Sequence, residues 1–243
     1  MTLSPIPVPM LSDNYAWILR DDASGALAFV DPADGQAAID AVEQMGGKLA
    51  MILLTHHHDD HIAGVEALRA RYGAQVVGNG ADAARLPSLD ITVQDGGTVT
   101  FAGHTADILD TPGHTVGHIS YFFPDGPILF CGDTMFSLGC GRMFEGTPEQ
   151  FFQSFQKIAA LPPETLICAG HEYTQSNARF ALSIDPDNTL LQEKAAEVDR
   201  MRAAGMQTLP VRLGDELGVN PYLLAADATS FGRIRAMKDN FKG

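Results

Sequence analysis

Through the first two-thirds of the chain, apolar residues come in short runs broken by glycine, proline and aspartate, which is the rhythm of strands joined by turns. The runs at 15–19 and 27–30 flank the turn residues Asp21-Asp22-Ala23-Ser24-Gly25 and predict a pair of strands. Runs at 51–54, 76–77, 98–101, 106–109, 119–123, 128–130 and 166–168 predict further short strands. Helical spacing takes over at 36–45, which stops at Gly46-Gly47, and at 62–72, which stops at Gly73. Thr147-Pro148-Glu149-Gln150 opens another helix: Thr147 caps it, Pro148 takes the first helical position and Gln150 completes a capping box. That helix is expected to stop before Pro162-Pro163. Beyond His171 the pattern is helical at 173–182, 188–203 and 231–241, with no strong strand among them. Leu190, Leu191, Val198 and Met201 form an apolar stripe there, read as packing. The shift divides the chain into a layered α/β domain over 1–172 and a helical domain over 173–243. The order of strands within the sheets cannot be read from the pattern.

With 243 residues, 45% of them hydrophobic, the chain can bury a sizeable core. A net charge of -14 disfavours nucleic acid and anionic membranes as partners, so an anionic ligand would need a local basic patch. Cys131, Cys140 and Cys168 are too few and too scattered for a disulfide framework, which points to a reducing compartment. Cys131 and Cys168 lie in apolar runs and read as buried small hydrophobes; Cys140, between two glycines, is a weak candidate ligand. The first nine residues have no basic start and no long apolar stretch, and no window is apolar enough to span a bilayer. The expectation is a soluble, cytoplasmic monomer.

Candidate chemistry concentrates in Thr55-His56-His57-His58-Asp59-Asp60-His61, directly after the apolar run 49–54. Alternation points His56 and His58 to one side of an extended segment, and Asp60 and His61 follow at the turn into a helix. A solvated polar turn is the plain alternative, but four histidines and two aspartates in seven residues are hard to explain that way. Imidazole nitrogen and carboxylate oxygen suit zinc, iron or manganese. His114, Asp133 and His171 each follow an apolar strand and sit beside glycine, where the backbone can turn sharply. Seven ligands are too many for one zinc and suit two ions. His56, His58 and His114 would hold one, Asp60, His61 and His171 the other, and Asp133 would bridge. With two divalent ions, two aspartates and a hydroxide the site keeps a charge of about +1, which attracts electron-rich groups. Of the other histidines, His57 is expected to face away from the cluster, His104 to be exposed in a hairpin turn, and His118 to be structural. Asp31 is either an orienting partner for a ligand histidine or an ordinary turn aspartate.

The T-H-x-H-x-D-H run, Thr111-Pro112-Gly113-His114-Thr115, Gly132-Asp133-Thr134 and Gly170-His171-Glu172 resemble the metallo-β-lactamase superfamily. Within it, Gly139-Cys140-Gly141-Arg142-Met143-Phe144-Glu145-Gly146-Thr147 and Gly170-His171-Glu172-Tyr173-Thr174 resemble the hydroxyacylglutathione hydrolase, or glyoxalase II, family. Ser12-Asp13-Asn14-Tyr15 and Phe29-Val30-Asp31-Pro32 are weaker echoes, and Asn220-Pro221-Tyr222 and Lys238-Asp239-Asn240-Phe241 carry the likeness to the chain end. The resemblance implies a four-layer αββα sandwich with a C-terminal helical domain that helps bind glutathione. It implies hydrolysis of S-2-hydroxyacylglutathione thioesters, S-D-lactoylglutathione giving glutathione and D-lactate, the second step of methylglyoxal detoxification. The cofactors would be two divalent metal ions, zinc first, with iron or manganese as alternatives. Asp60 and Asp133 would position the nucleophilic water. Arg142, Phe144, Tyr173, Asn177, Arg235 and Lys238 fall where members contact the glutathione thioester, whose two carboxylates call for cations. Some members carry Lys where Arg142 stands and Tyr where Phe144 stands, and this chain lacks the arginine often seen soon after the Asn-Pro pair. These departures bear on substrate affinity more than on chemistry. The runner-up is a mononuclear-iron glutathione persulfide dioxygenase in the same fold.

Overall fold

The computed structural model describes residues 2–242. The strands are β1 Leu3–Met10, β2 Asn14–Asp21, β3 Leu27–Val30, β4 Leu49–Leu53, β5 Gln75–Asn79, β6 Ile91–Val93, β7 Thr98–Phe101, β8 His104–Asp110, β9 Ile119–Phe123, β10 Ile128–Gly132, β11 Met135–Phe136, β12 Gly139–Cys140, β13 Leu166–Ala169 and β14 Val211–Arg212. The helices are α1 Gly35–Gln44, α2 Asp59–Ile62, α3 Val65–Tyr72, α4 Pro148–Ala159, α5 Thr174–Ile184, α6 Thr189–Ala203 and α7 Ala228–Asp239. One six-stranded sheet runs β1-β2-β3-β4-β5-β6, a second runs β14-β13-β10-β9-β8-β7, and β11-β12 form a small hairpin.

Period-two alternation decides which side chain faces which layer. In β2, Tyr15, Trp17 and Leu19 join the core between the sheets, while Ala16 and Ile18 face the outer cluster that holds Ala38 and Val42 of α1 and Val65 and Leu68 of α3. Trp17 Nε1 donates to Ala169 O across the sandwich at 3.0 Å. On the far side, Phe151, Phe155 and Ile158 of α4 and Phe231 of α7 belong to the same core as the β10 strand. The layers are therefore helix, sheet, sheet, helix, the four-layer αββα sandwich that the resemblance implied, with a C-terminal helical extension. No helix among the described residues is long and apolar enough to cross a membrane.

Several local expectations need correction. The segment at 3–10, unread as a strand, is the edge strand β1, paired only with β2. Its prolines at 5, 7 and 9 share one side of the strand, so the missing N–H groups fall on the unpaired edge. The helix expected at 62–72 breaks at Ala63-Gly64, where Gly64 N bonds Pro32 O at 2.8 Å, leaving α2 and α3. β6 and β14 are short strands recruited by their neighbours β5 and β13. The last helix starts earlier than 231 because Asp227 caps it, accepting from Ser230 N. In the α6 stripe, Leu191 and Val198 are buried with Ala195, but Leu190 is 62% exposed. His104, expected in solvent, is buried with Nδ1 3.1 Å from Asp125 Oδ2.

Candidate metal centre

The segments that follow β4, β8, β10 and β13 bring all seven expected ligands together, five of them lining one cavity and His56 and His61 buried beneath it. His56 Nε2 lies 3.1 Å from His58 Nδ1, and His114 Nε2 lies 2.9 Å from the same atom. These three form one donor group; Asp60, His61 and His171 form another. Asp60 Oδ2 is 3.8 Å from His61 Nε2 and 3.5 Å from His171 Nε2. Asp133 stands between the groups: Oδ2 is 3.4 Å from His114 Nε2 and 3.3 Å from His171 Nε2, and Oδ1 is 3.4 Å from His61 Nε2.

The outward nitrogens fix the tautomers. Thr55 N and Oγ1 both donate to Asp31, so Thr55 Oγ1 is left to accept from His56 Nδ1 at 3.0 Å. Nδ1 of His114 donates to Arg142 O at 2.7 Å, that of His61 to Asp31 Oδ2 at 3.0 Å, and that of His171 to Asp13 Oδ1 at 3.0 Å. Four Nε2 lone pairs thus converge on one another and on a buried carboxylate. His61 Nε2 and Asp133 Oδ1 are buried without a hydrogen-bond partner. Imidazole nitrogens and carboxylate oxygens crowded this closely, two of them buried without a hydrogen-bond partner, fit a cation site, whether protons or metal ions fill it, and three-nitrogen and mixed nitrogen–oxygen sets fit two divalent ions. Asp31 also groups with His56 and His61, but its oxygens are taken by Thr55 and His61, so it orients the histidine as one of its two expected readings had it.

Charge divides the two halves. Burial, with the neighbouring imidazoles adding to it, holds His56 well below the usual histidine value of 6.5, and His58 and His114 are lowered too, mainly by burial. Burial also works against protonated His171, yet Asp133, Asp13 and Asp60 outweigh it and raise that group to about 9. His61 is raised as well, against burial, by Asp133, Asp31 and Asp60. The Asp133 carboxyl is buried, but His171, His61 and His114 hold it far below the carboxylate range.

The backbone at Asp133 is held from behind. Gly132 has φ +44, and a Cβ there would collide with Thr55 Oγ1 and lie 2.8 Å from His118 Nε2, so only glycine fits. His118, fully buried, accepts from Asp133 N at 3.1 Å and stacks on His56. His57 turns away from the cluster to Asp82 Oδ2 at 3.0 Å.

Above the ligands opens a cavity of about 690 Å³. Phe136, Arg142, Phe144, Glu145 and Tyr173 wall it. The Arg142 guanidinium lies 5.3 Å over the Phe144 ring, and Phe144 meets His58 and His114 edge-on. Tyr173 stacks parallel to His171 at 4.7 Å. Asn177, Arg235 and Lys238 lie outside this lining. Asn177 Nδ2 donates to Ser137 O, Arg235 donates to Cys140 O and Asp239, and Lys238 Nζ donates to Ser176 O and Oγ. Cys140 is buried, its thiol donating to Gly141 O, and belongs to neither donor group. Phe136 and Glu145 were not anticipated; Glu145 sits inside the glycine-rich motif that holds Arg142, while nothing in the sequence singles out Phe136.

A family model described as the metallo-beta-lactamase superfamily matches residues 12–171, and one described as the hydroxyacylglutathione hydrolase C-terminus matches residues 172–241. A hydroxyacylglutathione hydrolase of Acidiphilium cryptum (strain JF-5) is 61% identical over 96% of this chain and 95% of that one. One from Ruegeria pomeroyi (strain ATCC 700808 / DSM 15171 / DSS-3) is 47% identical over 99% of this chain and 100% of that one. Among solved structures, ETHE1 from Myxococcus xanthus superposes with a TM-score of 0.74 at 25% identity, covering 100% of this chain and 92% of that one. The BLEG-1 B3 metallo-beta-lactamase gives a TM-score of 0.69 at 22% identity, covering 91% and 99%, a likeness of fold.

Proposed function

Since the chain belongs to the hydroxyacylglutathione hydrolase family of the metallo-β-lactamase superfamily, we propose that it hydrolyses S-2-hydroxyacylglutathione thioesters. S-D-lactoylglutathione gives glutathione and D-lactate, the glyoxalase II reaction. The observation that carries this reading is the pair of donor groups with Asp133 between them.

His56, His58 and His114 would hold one divalent ion, Asp60, His61 and His171 the other, and Asp133 both. Bound there, zinc, iron or manganese would supply an activated water and Lewis-acid polarisation of the thioester carbonyl. Asp60 and Asp133 present carboxylate oxygens toward the cavity and would accept hydrogen bonds from the attacking water, aiming its lone pair at the carbonyl carbon. Attack, with the water's proton passing to solvent, forms a C–O bond; collapse breaks the C–S bond and releases a thiolate, whose low basicity makes a dedicated acid unnecessary. Arg142 stands at the rim as the cation for a glutathione carboxylate, and Phe144 and Tyr173 supply apolar walls for the acyl and cysteinyl portions. Asn177, Arg235 and Lys238 are engaged with the protein itself, and Lys238 Nζ, which gives two of its three hydrogens to Ser176, would keep the third for a glutathione carboxylate. The persulfide dioxygenase alternative asks for one iron with three protein ligands; a complete second group favours the hydrolase.

The test is release of glutathione from S-D-lactoylglutathione by metal-replete protein, with His58→Ala as control. Fast, His58-dependent release is expected. No release above the control, with two metals bound, would sink the reading.

A further inference from the structure

We infer that the turn joining β1 to β2 sets the second metal half-site, with Asp13 and Asn14 as positioning residues for Asp60 and His171. The inference rests on the two-ion reading above and goes beyond it to a part of the chain that supplies no ligand.

Asp60 lies in the first turn of a four-residue helix, and its side chain is 40% exposed. Left alone it would sample several rotamers. The buried amide of Asn14 spends both hydrogens on it, one to Asp60 O at 3.1 Å and one to Asp60 Oδ2 at 3.0 Å. Asp60 Oδ2 is the oxygen that faces His171 Nε2. Asp13 acts on the other ligand: its Oδ1 accepts from His171 Nδ1, which turns the Nε2 lone pair inward. The main chain locks the same segments together. Tyr15 N donates to Gly170 O at 2.7 Å and Glu172 N donates to Asp13 O at 2.8 Å, so the turn grips the chain on both sides of His171. Leu11 enters the turn at φ +49, a conformation unfavourable for a leucine, which the surrounding bonds hold in place.

The first donor group touches none of this. His56 leans on Thr55 and His114 on Arg142 O. The turn's hydrogen bonds therefore fall on one donor group, coupled to the other only through the shared Asp133, and a general structural role would not produce that asymmetry.

The experiment uses the whole protein as wild type, Asp13→Ala, Asn14→Ala and Asp13→Asn. Each is equilibrated with zinc buffered over a series of free concentrations, and bound zinc per chain is counted; cobalt-substituted samples are followed by their visible spectra. Wild type should bind two ions. In both alanine variants the second ion should weaken about ten- to a hundredfold while the first is held as in wild type. Activity lost at limiting zinc should return when zinc is added. Asp13→Asn keeps an acceptor for His171 and should recover most of the second affinity. Retention of the second ion at wild-type affinity in both alanine variants would overturn the inference, and so would parallel loss of both ions. A wild-type protein that takes up only one ion would overturn the two-ion reading itself, and the control separates that failure from the other.

Discussion

Each ligand imidazole has one nitrogen in the cavity and one outside it, and the partner of the outer nitrogen differs between the halves. Thr55 and a backbone carbonyl support His56 and His114; carboxylates support His61 and His171. The metal-free protein should therefore carry protons on the second pair. A histidine whose folded value is raised adds stability that is full below its unfolded value of 6.5 and is lost as pH rises through the folded one, about 9 for His171. His56 and His118 are held well below 6.5 and act in the opposite sense: their contribution is present above 6.5 and is lost as pH falls. The urea midpoint of chelator-stripped protein should peak near pH 6.5 and fall toward both 5 and 9. Zinc should remove the alkaline fall, because the ions take the place of the protons. A midpoint that stays level or rises from 6.5 to 9 in the stripped protein would refute this charge assignment. The candidate ligands were legible because each belongs to a polar segment set against an apolar run. Of their supports Asp31 was read, as one of two alternatives; the others were not, because an aspartate at 13 and a threonine at 55 look like ordinary turn residues until the fold brings them to an imidazole.

The cavity wall is built by elements that contribute nothing to the ligand set. The β11-β12 hairpin is pinned by Glu216, a fully buried carboxylate that accepts from Ser137 Oγ at 2.7 Å, Leu138 N at 2.6 Å and Lys194 Nζ at 2.7 Å. Arg235 of α7 holds the end of the same hairpin through Cys140 O. Two residues further on, Arg142 O orients His114. Glu216→Ala strands several buried donors and a largely buried ammonium, which costs about 3 kcal/mol or more. The expected outcome is a clear drop in melting temperature together with weaker binding of the ion at His56, His58 and His114. Glu216→Gln, which keeps an acceptor, should sit between. An alanine variant with unchanged melting temperature would show that the hairpin stands without this support. Strands and capped helices were readable wherever the local pattern agreed with the fold. The exceptions were decided from outside the segment: β14 exists because β13 offers an open edge, β1 tolerates its prolines because nothing pairs with its outer side, and α2 ends where Gly64 is drawn to Pro32. Glu216 was invisible for the same reason, since nothing near it in sequence marks it as buried.

At the scale of the molecule, the helical part after residue 172 shares a core with what precedes it. Phe180, Leu209, Leu213, Tyr222 and Phe231 belong to the same apolar cluster as Phe130, Phe151 and Phe155. The Phe231 ring sits 5.3 Å from Phe151 and 5.1 Å from Phe155, and Tyr222 sits 6.1 Å from Phe155. Glu172, at the junction, accepts from Tyr15 of β2, from Arg202 of α6 and from both N and Oγ1 of Thr208. The change of composition near 172 marks where mainly strand pattern gives way to mainly helical pattern, and from the shared core we propose that the two parts fold together. We predict that residues 1–172 expressed alone will not form a stable native state. Exposing a buried Phe or Leu side chain costs about 1.5–3 kcal/mol, and several would be uncovered at once against a typical total stability of about 5–15 kcal/mol. The cut also removes β14, leaving β13 as a bare edge that invites association. The truncated chain should show rapid proteolysis, loss of the near-ultraviolet signal of Trp17 and no tight zinc binding. A monomeric, protease-resistant fragment holding two zinc ions would mean that the sandwich carries its own core, and that the helices were added to it only to finish the cavity wall.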